Sequence, residues 1–249
     1  MTSMPRFEQR RALQTRPDEK PVMFQSWRKL LFLHWKFDPI DIQELLPAGL
    51  TVDTFDGNAW VGIVPFYMRN IRPVWSRSIP YISNFLELNV RTYAYDENGN
   101  PGVWFLSLDA SRLLAVQVAR RFFHLPYYWA KMSAAEVDST INYESRRLGD
   151  PAKRTCSFQY RGTGTAAAAK EETLEFFLVE RYLLFSQTKS NGIATGQVHH
   201  SPYQIQLAEA SSFCEPLFEL NGITSPNRPP DHALYSEGVD VEVFPLKIV

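Results

Sequence analysis

What this chain lacks narrows it first. Its 249 residues include only two cysteines, Cys156 and Cys214. That is too few for a disulfide framework or a cysteine zinc site, so buried free thiols and a reducing, cytoplasmic setting are expected. Neither sign of charge prevails: 26 Lys and Arg face 27 Asp and Glu, leaving no global field to attract nucleic acid or an anionic membrane. No uncharged apolar run reaches spanning length, and the N-terminal residues Arg6, Arg10, Arg11 and Arg16 accompany no apolar signal-peptide centre. Gly162-Thr-Gly164 lacks the third glycine and the Lys-Ser/Thr of a phosphate cradle. No serine sits in a Gly-x-Ser-x-Gly elbow, and the scattered histidines form no His-Glu-x-x-His pair. No metal and no cofactor are expected; the expected partner is a small organic molecule.

Apolar material, by contrast, is ample: 45% of residues are hydrophobic and 14% aromatic, enough for a large β-rich core. Residues 1–20 lack periodicity and read as a flexible polar arm, with a single domain over 21–249. Asp38-Pro39 caps a short helix running to Pro47. Residues 51–55, the turn Asp56-Gly57 and residues 59–67 read as one hairpin; residues 84–95, the turn around Asn98-Gly99 and residues 102–108 read as a second. Asp109 or Ser111 can cap a helix over 112–123, stopped by Pro126. Further strands are expected over 127–132, 136–144 and 153–160. A loop containing Gly162, Gly164 and Ala166–Ala169 should then lead to a helix over 172–181, with strands over 182–187, 193–200, 203–211 and 239–247. Many strands, few short helices and no regular βαβ alternation argue for an α+β, mainly antiparallel β fold with a curved sheet.

Six segments carry a resemblance: Gln25-Ser-Trp-Arg28, Leu45-Leu-Pro-Ala-Gly-Leu50, Glu87-Leu-Asn-Val-Arg-Thr92, Phe105-Leu-Ser-Leu-Asp109, Leu125-Pro-Tyr-Tyr128 and Val198-His-His-Ser-Pro202. Over residues 21 to 245 the chain resembles the uncharacterised YqjF-like family, and through it, distantly, acetoacetate decarboxylase. The resemblance implies a closed, cone-like β-barrel with an internal pocket. Where the decarboxylase has Gly-Arg-Glu, a proline and a lysine pair, this chain has Ala119-Arg120-Arg121, Pro126 and Tyr127-Tyr128. Tyrosine cannot form an iminium, so the decarboxylase chemistry is not inherited at that position.

Candidate site residues follow from both lines. Leu86, Leu88 and Val90 alternate with Glu87, Asn89 and Arg91, so a strand there puts all three polar groups on one face, toward solvent or a polar cavity. Glu87 and Arg91 would lie about 13 Å apart along it, too far for a direct ion pair. Arg120, on an otherwise apolar helix, is a candidate counter-ion for Asp109, Glu87 or a ligand carboxylate; the alternative is a surface residue beside Arg121. Tyr127 and Tyr128 should face opposite ways, so only one lines a cavity. Lys131, sharing a face with Tyr127 and Trp129, is a candidate displaced amine nucleophile, against the reading of a surface lysine covering an aromatic. His199 and His200 also point apart, and one can reach the pocket.

Three functions are weighed: a small-molecule binder, with a carboxylate ligand held by Glu87, Asn89, Arg91, Arg120, Tyr127, Trp129 and His200; a decarboxylase-like or aldolase-like enzyme using Glu87 and Lys131; and a non-catalytic interaction barrel working through the segment 69–83.

Overall fold

The computed structural model describes residues 4–78, 83–188, 191–211 and 214–248. The segment 69–83 therefore falls partly outside the described residues. Twelve strands form one sheet: β1 (Met23–Phe37), β2 (Leu50–Val52), β3 (Ala59–Pro73), β4 (Phe85–Asp96), β5 (Pro101–Ala110), β6 (Tyr127–Val137), β7 (Thr140–Arg147), β8 (Cys156–Ala168), β9 (Leu183–Gln187), β10 (Ile193–His199), β11 (Gln204–Ser211) and β12 (His232–Ile248). Among the described residues five helices accompany these twelve strands: α1 (Phe7–Ala12), α2 (Pro39–Gln43), α3 (Leu113–Phe122), α4 (Leu174–Val179) and α5 (Pro216–Glu219). Pairing is antiparallel except for β5–β6 and β5–β9. The order β10-β9-β5-β6-β7-β8-β11-β12-β1-β3-β4-β2 is closed by β10–β12 and β4–β5. The strands thus make two unequal rings that share β1, β3, β4, β5 and β12 instead of one even barrel. Among the described residues no helix is long and apolar enough to cross a membrane.

The shared strands explain the least patterned stretches of sequence. In β1, Leu30 and Phe32 join one core while Leu31, Leu33 and Trp35 join another. Strand β3 divides in the same way, with Trp60, Val64, Phe66 and Met68 on one side and Ala59, Val61 and Ile63 on the other. A wall buried on both faces has no solvent side, so its strands read as continuous apolar runs, with the period of two hidden inside them. Each large side chain so buried contributes about 1.5–3 kcal/mol. Backbone approach is also tight. Gly238 pairs with Arg28 at φ +130°, and a Cβ there would lie 2.0 Å from the Trp27 carbonyl oxygen.

Several expectations are corrected. Asp56 and Gly57 do form the tight turn, at φ 48° and 76°, closed by Phe55 and Asn58; but β2 pairs with β4, not with β3. Residues 162–168 continue β8 as strand. Gly162 is needed there because a Cβ would meet the Tyr235 ring at 2.4 Å. Neither Asp109 nor Ser111 caps α3: Asp109 lies in β5, and Ser111 Oγ accepts the Leu86 amide. Within the polar N-terminal arm, α1 forms and docks through Arg10, which binds Asp53, and Phe7, which meets Phe176.

Cys156 and Cys214 are not free thiols. Their Cα atoms lie 4.9 Å apart and the sulfurs are bonded, tying the start of β8 to the segment before α5. The bond removes the thiol ground for expecting a reducing compartment. Because it closes a loop of 58 residues, reduction or a Cys156→Ser substitution should lower unfolding stability by about 2–4 kcal/mol. The check is the urea midpoint with and without reductant. Equal midpoints, with both cysteines alkylated in the untreated protein, would contradict the bond.

Candidate functional site

Strand β4 carries the alternation that the sequence predicts, with Leu86, Leu88 and Val90 packed into the core beside β7 and β8. Glu87, Asn89 and Arg91 point the other way, into the interior bounded by β9 and β10. There a cavity of about 240 Å³ remains. Its walls are mainly apolar, from Met68, Phe85, Val103, Leu108, Leu125 and Val243 among others, and its polar groups are few: Glu87, Arg91, Tyr127, Arg181, Tyr203 and Gln25. Helix α3 covers one side. Leu114 and Val118 line the cavity yet are 48% and 39% exposed, so the opening to solvent lies beside them.

Glu87 is the least ordinary of these groups. It is 3% exposed, and Tyr127 donates its hydroxyl proton to Oε2 at 2.8 Å. Burial dominates its ionisation and pushes its pKa up to about 8, against the smaller opposing effect of the Tyr127 hydrogen bond. At neutral pH the carboxyl is therefore mostly protonated, and with Oε2 accepting from tyrosine its proton belongs on Oε1. Tyr127 is held as a phenol well above the ordinary range, by burial first and by Glu87 second. Tyr143 fixes the strand from behind, donating to the Glu87 carbonyl at 2.8 Å.

Arg91 answers from the same wall. Its Nη2 donates to the Leu178 carbonyl at 3.2 Å, and its guanidinium lies over Phe32 and Tyr93 at 5.5 and 5.7 Å. No carboxylate pairs with it among the described residues, and Nε is buried without a partner. Such an orphaned donor costs about 1–3 kcal/mol. Tyr93 must donate to Leu178 O, at 2.8 Å, because a carbonyl can only accept. His34 Nε2, 2.8 Å from the Tyr93 oxygen, therefore carries the hydrogen, leaving Nδ1 as a buried lone pair. Burial, then the neighbouring Arg91, keeps His34 neutral.

The other sequence candidates are placed elsewhere. Arg120 is exposed; its Nε donates to the Tyr127 carbonyl at 2.6 Å, tying α3 to the start of β6. Asp109, one of its expected partners, is instead bound by Arg147 at 2.8 Å in a buried pair. Tyr128 is exposed under Arg120 and Arg147. Lys131 and Trp129 lie in an outer groove with Tyr67, Arg69 and Met132, whose lining shares Phe85 with that of the cavity, and among the described residues lining the cavity none is a lysine. Strand β6 keeps its register, but it pairs with β5 only over its first three residues, and the face that carries Tyr127 to the cavity is exposed at Trp129 and Lys131. Asn89 is buried, with Oδ1 unpartnered, but is not part of the lining. His200 sits behind the wall, stacked on Tyr182 at 4.6 Å and packed against the cavity residues Trp27 and Tyr203. Its Nδ1 hydrogen bonds to the Ser201 carbonyl, and burial lowers its pKa to about 4.

Sequence reasoning missed Arg181. It is buried, lines the cavity, and donates through Nη1 to Asp53 Oδ2 at 2.8 Å and through Nε to Phe177 O at 2.7 Å. The signal was available: Glu180-Arg181 interrupts the apolar run from Phe176 to Phe185, and charged residues rarely occur fully buried without a partner.

Comparisons with known proteins agree with this architecture. The chain matches the DUF2071 family, described as an uncharacterized conserved protein, over residues 24–240. It is 37% identical over 233 residues to the uncharacterized protein YqjF of Bacillus subtilis (strain 168), covering 93% of this chain and 94% of that one. Among solved structures, acetoacetate decarboxylase from Legionella pneumophila superposes with a TM-score of 0.65 at 10% identity, covering 92% of this chain and 88% of that one. The enduracididine biosynthesis enzyme MppR, complexed with pyruvate, superposes with a TM-score of 0.63 at 11% identity, covering 92% and 91%. The chain belongs to the DUF2071 family and has an acetoacetate decarboxylase-like fold.

The raised pKa of Glu87 makes stability depend on pH. The folded chain keeps a proton there from the ordinary 4.5 up to about 8 while the unfolded chain has released it, so stability should fall as pH rises through that range. The limiting slope is about 1.4 kcal/mol per pH unit. The neutral, buried His34 and His200 act in the opposite sense below their ordinary 6.5, so the window from pH 6.5 to 8 lies above them, and Asp109 and Glu180, also raised by burial, act in the same sense as Glu87. Glu87→Gln should flatten the urea midpoint over that window; a slope equal to the parent's would refute the assignment.

Proposed function

We propose that this member of the DUF2071 family binds a small organic carboxylate with an apolar body in the cavity beneath α3. The carboxylate would lie against Arg91 and Arg181, the body against Met68, Phe85, Val103 and Leu108, and a second oxygen, where the ligand has one, beside Glu87 and Tyr127. One observation carries the reading: Arg91, facing the cavity, has no carboxylate partner among the described residues, while the carboxyl on the same wall is held neutral by burial. The uncompensated charge of the lining is thus positive, and an anion would complete it. A charge-assisted, two-pronged hydrogen bond from a guanidinium is the strongest polar contact a carboxylate can find in such a site. A pyruvate complex of MppR, which has the same fold, shows a carboxylate bound by a protein of this architecture.

The Glu87–Tyr127 end supports a preference between ligands. Glu87 and Arg91 are four positions apart on one strand, about 13 Å, so a carboxylate held by Arg91 presents its far end to a proton donor. A carbonyl oxygen there would receive the Glu87 hydrogen; a methyl group would leave that donor unpaired. The amine chemistry considered for Lys131 has no support from this geometry, since that side chain lies on the outer groove.

The test is binding of octanoate, phenylacetate and levulinate, each beside its neutral amide, by calorimetry and by shift of the melting temperature. Carboxylates should bind and their amides should bind more weakly. Arg91→Ala should weaken carboxylate binding by about 10-fold to 100-fold, the worth of a charged hydrogen bond, with the fold intact by circular dichroism. Equal binding of acid and amide across the series would overturn the reading.

A further inference from the structure

The N-terminal helix is joined to the cavity by a single buried carboxylate. Asp53, with a fully buried side chain, accepts both Arg10 Nη1 and Arg10 Nη2 at 2.6 Å, and its Oδ2 also accepts Arg181 Nη1 at 2.8 Å. Arg10 comes from α1 and its side chain is 13% exposed; Arg181 lines the cavity and its side chain is 3% exposed. Both guanidiniums lie against the Phe177 ring, at 5.1 and 4.3 Å, and Phe7 anchors the helix on Phe176 at 5.6 Å. Arg10 itself is not part of the cavity lining.

One carboxylate shared by two guanidiniums leaves one positive charge over. Arg181 Nη2 is buried with no partner, and Arg181 shares the Tyr93 ring with Arg91, at 4.8 and 5.7 Å, so the surplus sits beside the cation already in the cavity. Without Arg10, Asp53 would belong to Arg181 alone and the pair would be neutral. In a site of low effective dielectric that change acts strongly on an anion a few ångströms away.

We propose that Arg10 is a positioning residue for the cavity. By occupying Asp53 from the outside it leaves Arg181 free to act as a cation toward a bound carboxylate, which couples docking of α1 to the cavity's preference for anions. The inference rests on the carboxylate-binding reading and adds its control. Coupling of this kind is reciprocal: what strengthens the ligand must strengthen the docking of α1 by the same factor.

The experiment measures octanoate, phenylacetate and levulinate, and their amides, against the parent protein and its Arg10→Gln, Arg10→Lys and Arg91→Ala variants. Hydrogen exchange over residues 7–12 is followed with and without ligand. Arg10→Gln should lose about fivefold or more in carboxylate affinity while amide binding stays unchanged, which a merely loosened fold would not produce. Arg10→Lys should recover most of the loss, and carboxylates should slow exchange in α1 of the parent. If Arg10→Gln keeps the parent's acid-to-amide ratio while Arg91→Ala loses it, the coupling is overturned and the carboxylate site stands. If the parent shows no acid-to-amide difference, both are overturned.

Discussion

Burial of one wall on both faces is the constraint from which the rest of this structure follows. Over residues 30–35 of β1, 59–66 of β3 and the whole of β4 these strands separate two cores, so no residue there is exposed to water. Apolar side chains fill both sides of β1 and β3 without conflict. In β4 the alternating polar residues must be satisfied inside the protein. The sheet answers by closing twice: through β4–β5 and the strands beyond, and through β10–β12. The smaller interior, toward which Glu87 and Arg91 point, keeps the cavity.

Electrostatics inside that interior are arranged by separation. Charges that could cancel are held apart: Glu87 meets a phenol, Arg91 meets carbonyl and aromatic groups, and the buried Asp53 carboxylate is shared by two arginines. Asp109 and Arg147 show the contrasting arrangement, a buried pair on the other side of β5 in which one carboxylate meets one guanidinium. Desolvation then decides the ionisation states. It raises Glu87 and lowers His34 and His200, so these three groups are held toward their neutral forms and the arginines keep the field. Even Arg181, lowered to about 10 by burial, remains charged at neutral pH.

How far the sequence could be read depends on whether the relevant period is local. The alternation in 85–91 depends only on strand geometry, and the structure follows it residue by residue. That Glu87 and Arg91 share a face was accordingly legible, as were the Asp38-Pro39 cap, whose carboxylate accepts the Ile40 amide, and the Asn98-Gly99 turn, gathered around Asp96. Arg120, Trp129, Lys131 and His200 were chosen because they neighbour the right segments in the chain. Their placement depends on where α3 ends and where β6 leaves β5, which a short window of residues does not contain. The hairpin expected over 51–67 failed for a related reason. The tight turn is local and forms, whereas the partner of β2 is chosen by the sheet, which brings β4 alongside.

By itself the sequence determined the mainly antiparallel class, the polar face of β4 and the family resemblance, since each is written in neighbouring residues or in their order. Only the tertiary structure decided that this face looks into a closed cavity, that Cys156 meets Cys214, and that Arg10 and Arg181 meet on Asp53. Those contacts join residues 58 to 128 positions apart or, for Arg10 and Asp53, 43 apart. Their cause is the closure of the sheet, which brings distant segments together after each has satisfied its own local pattern.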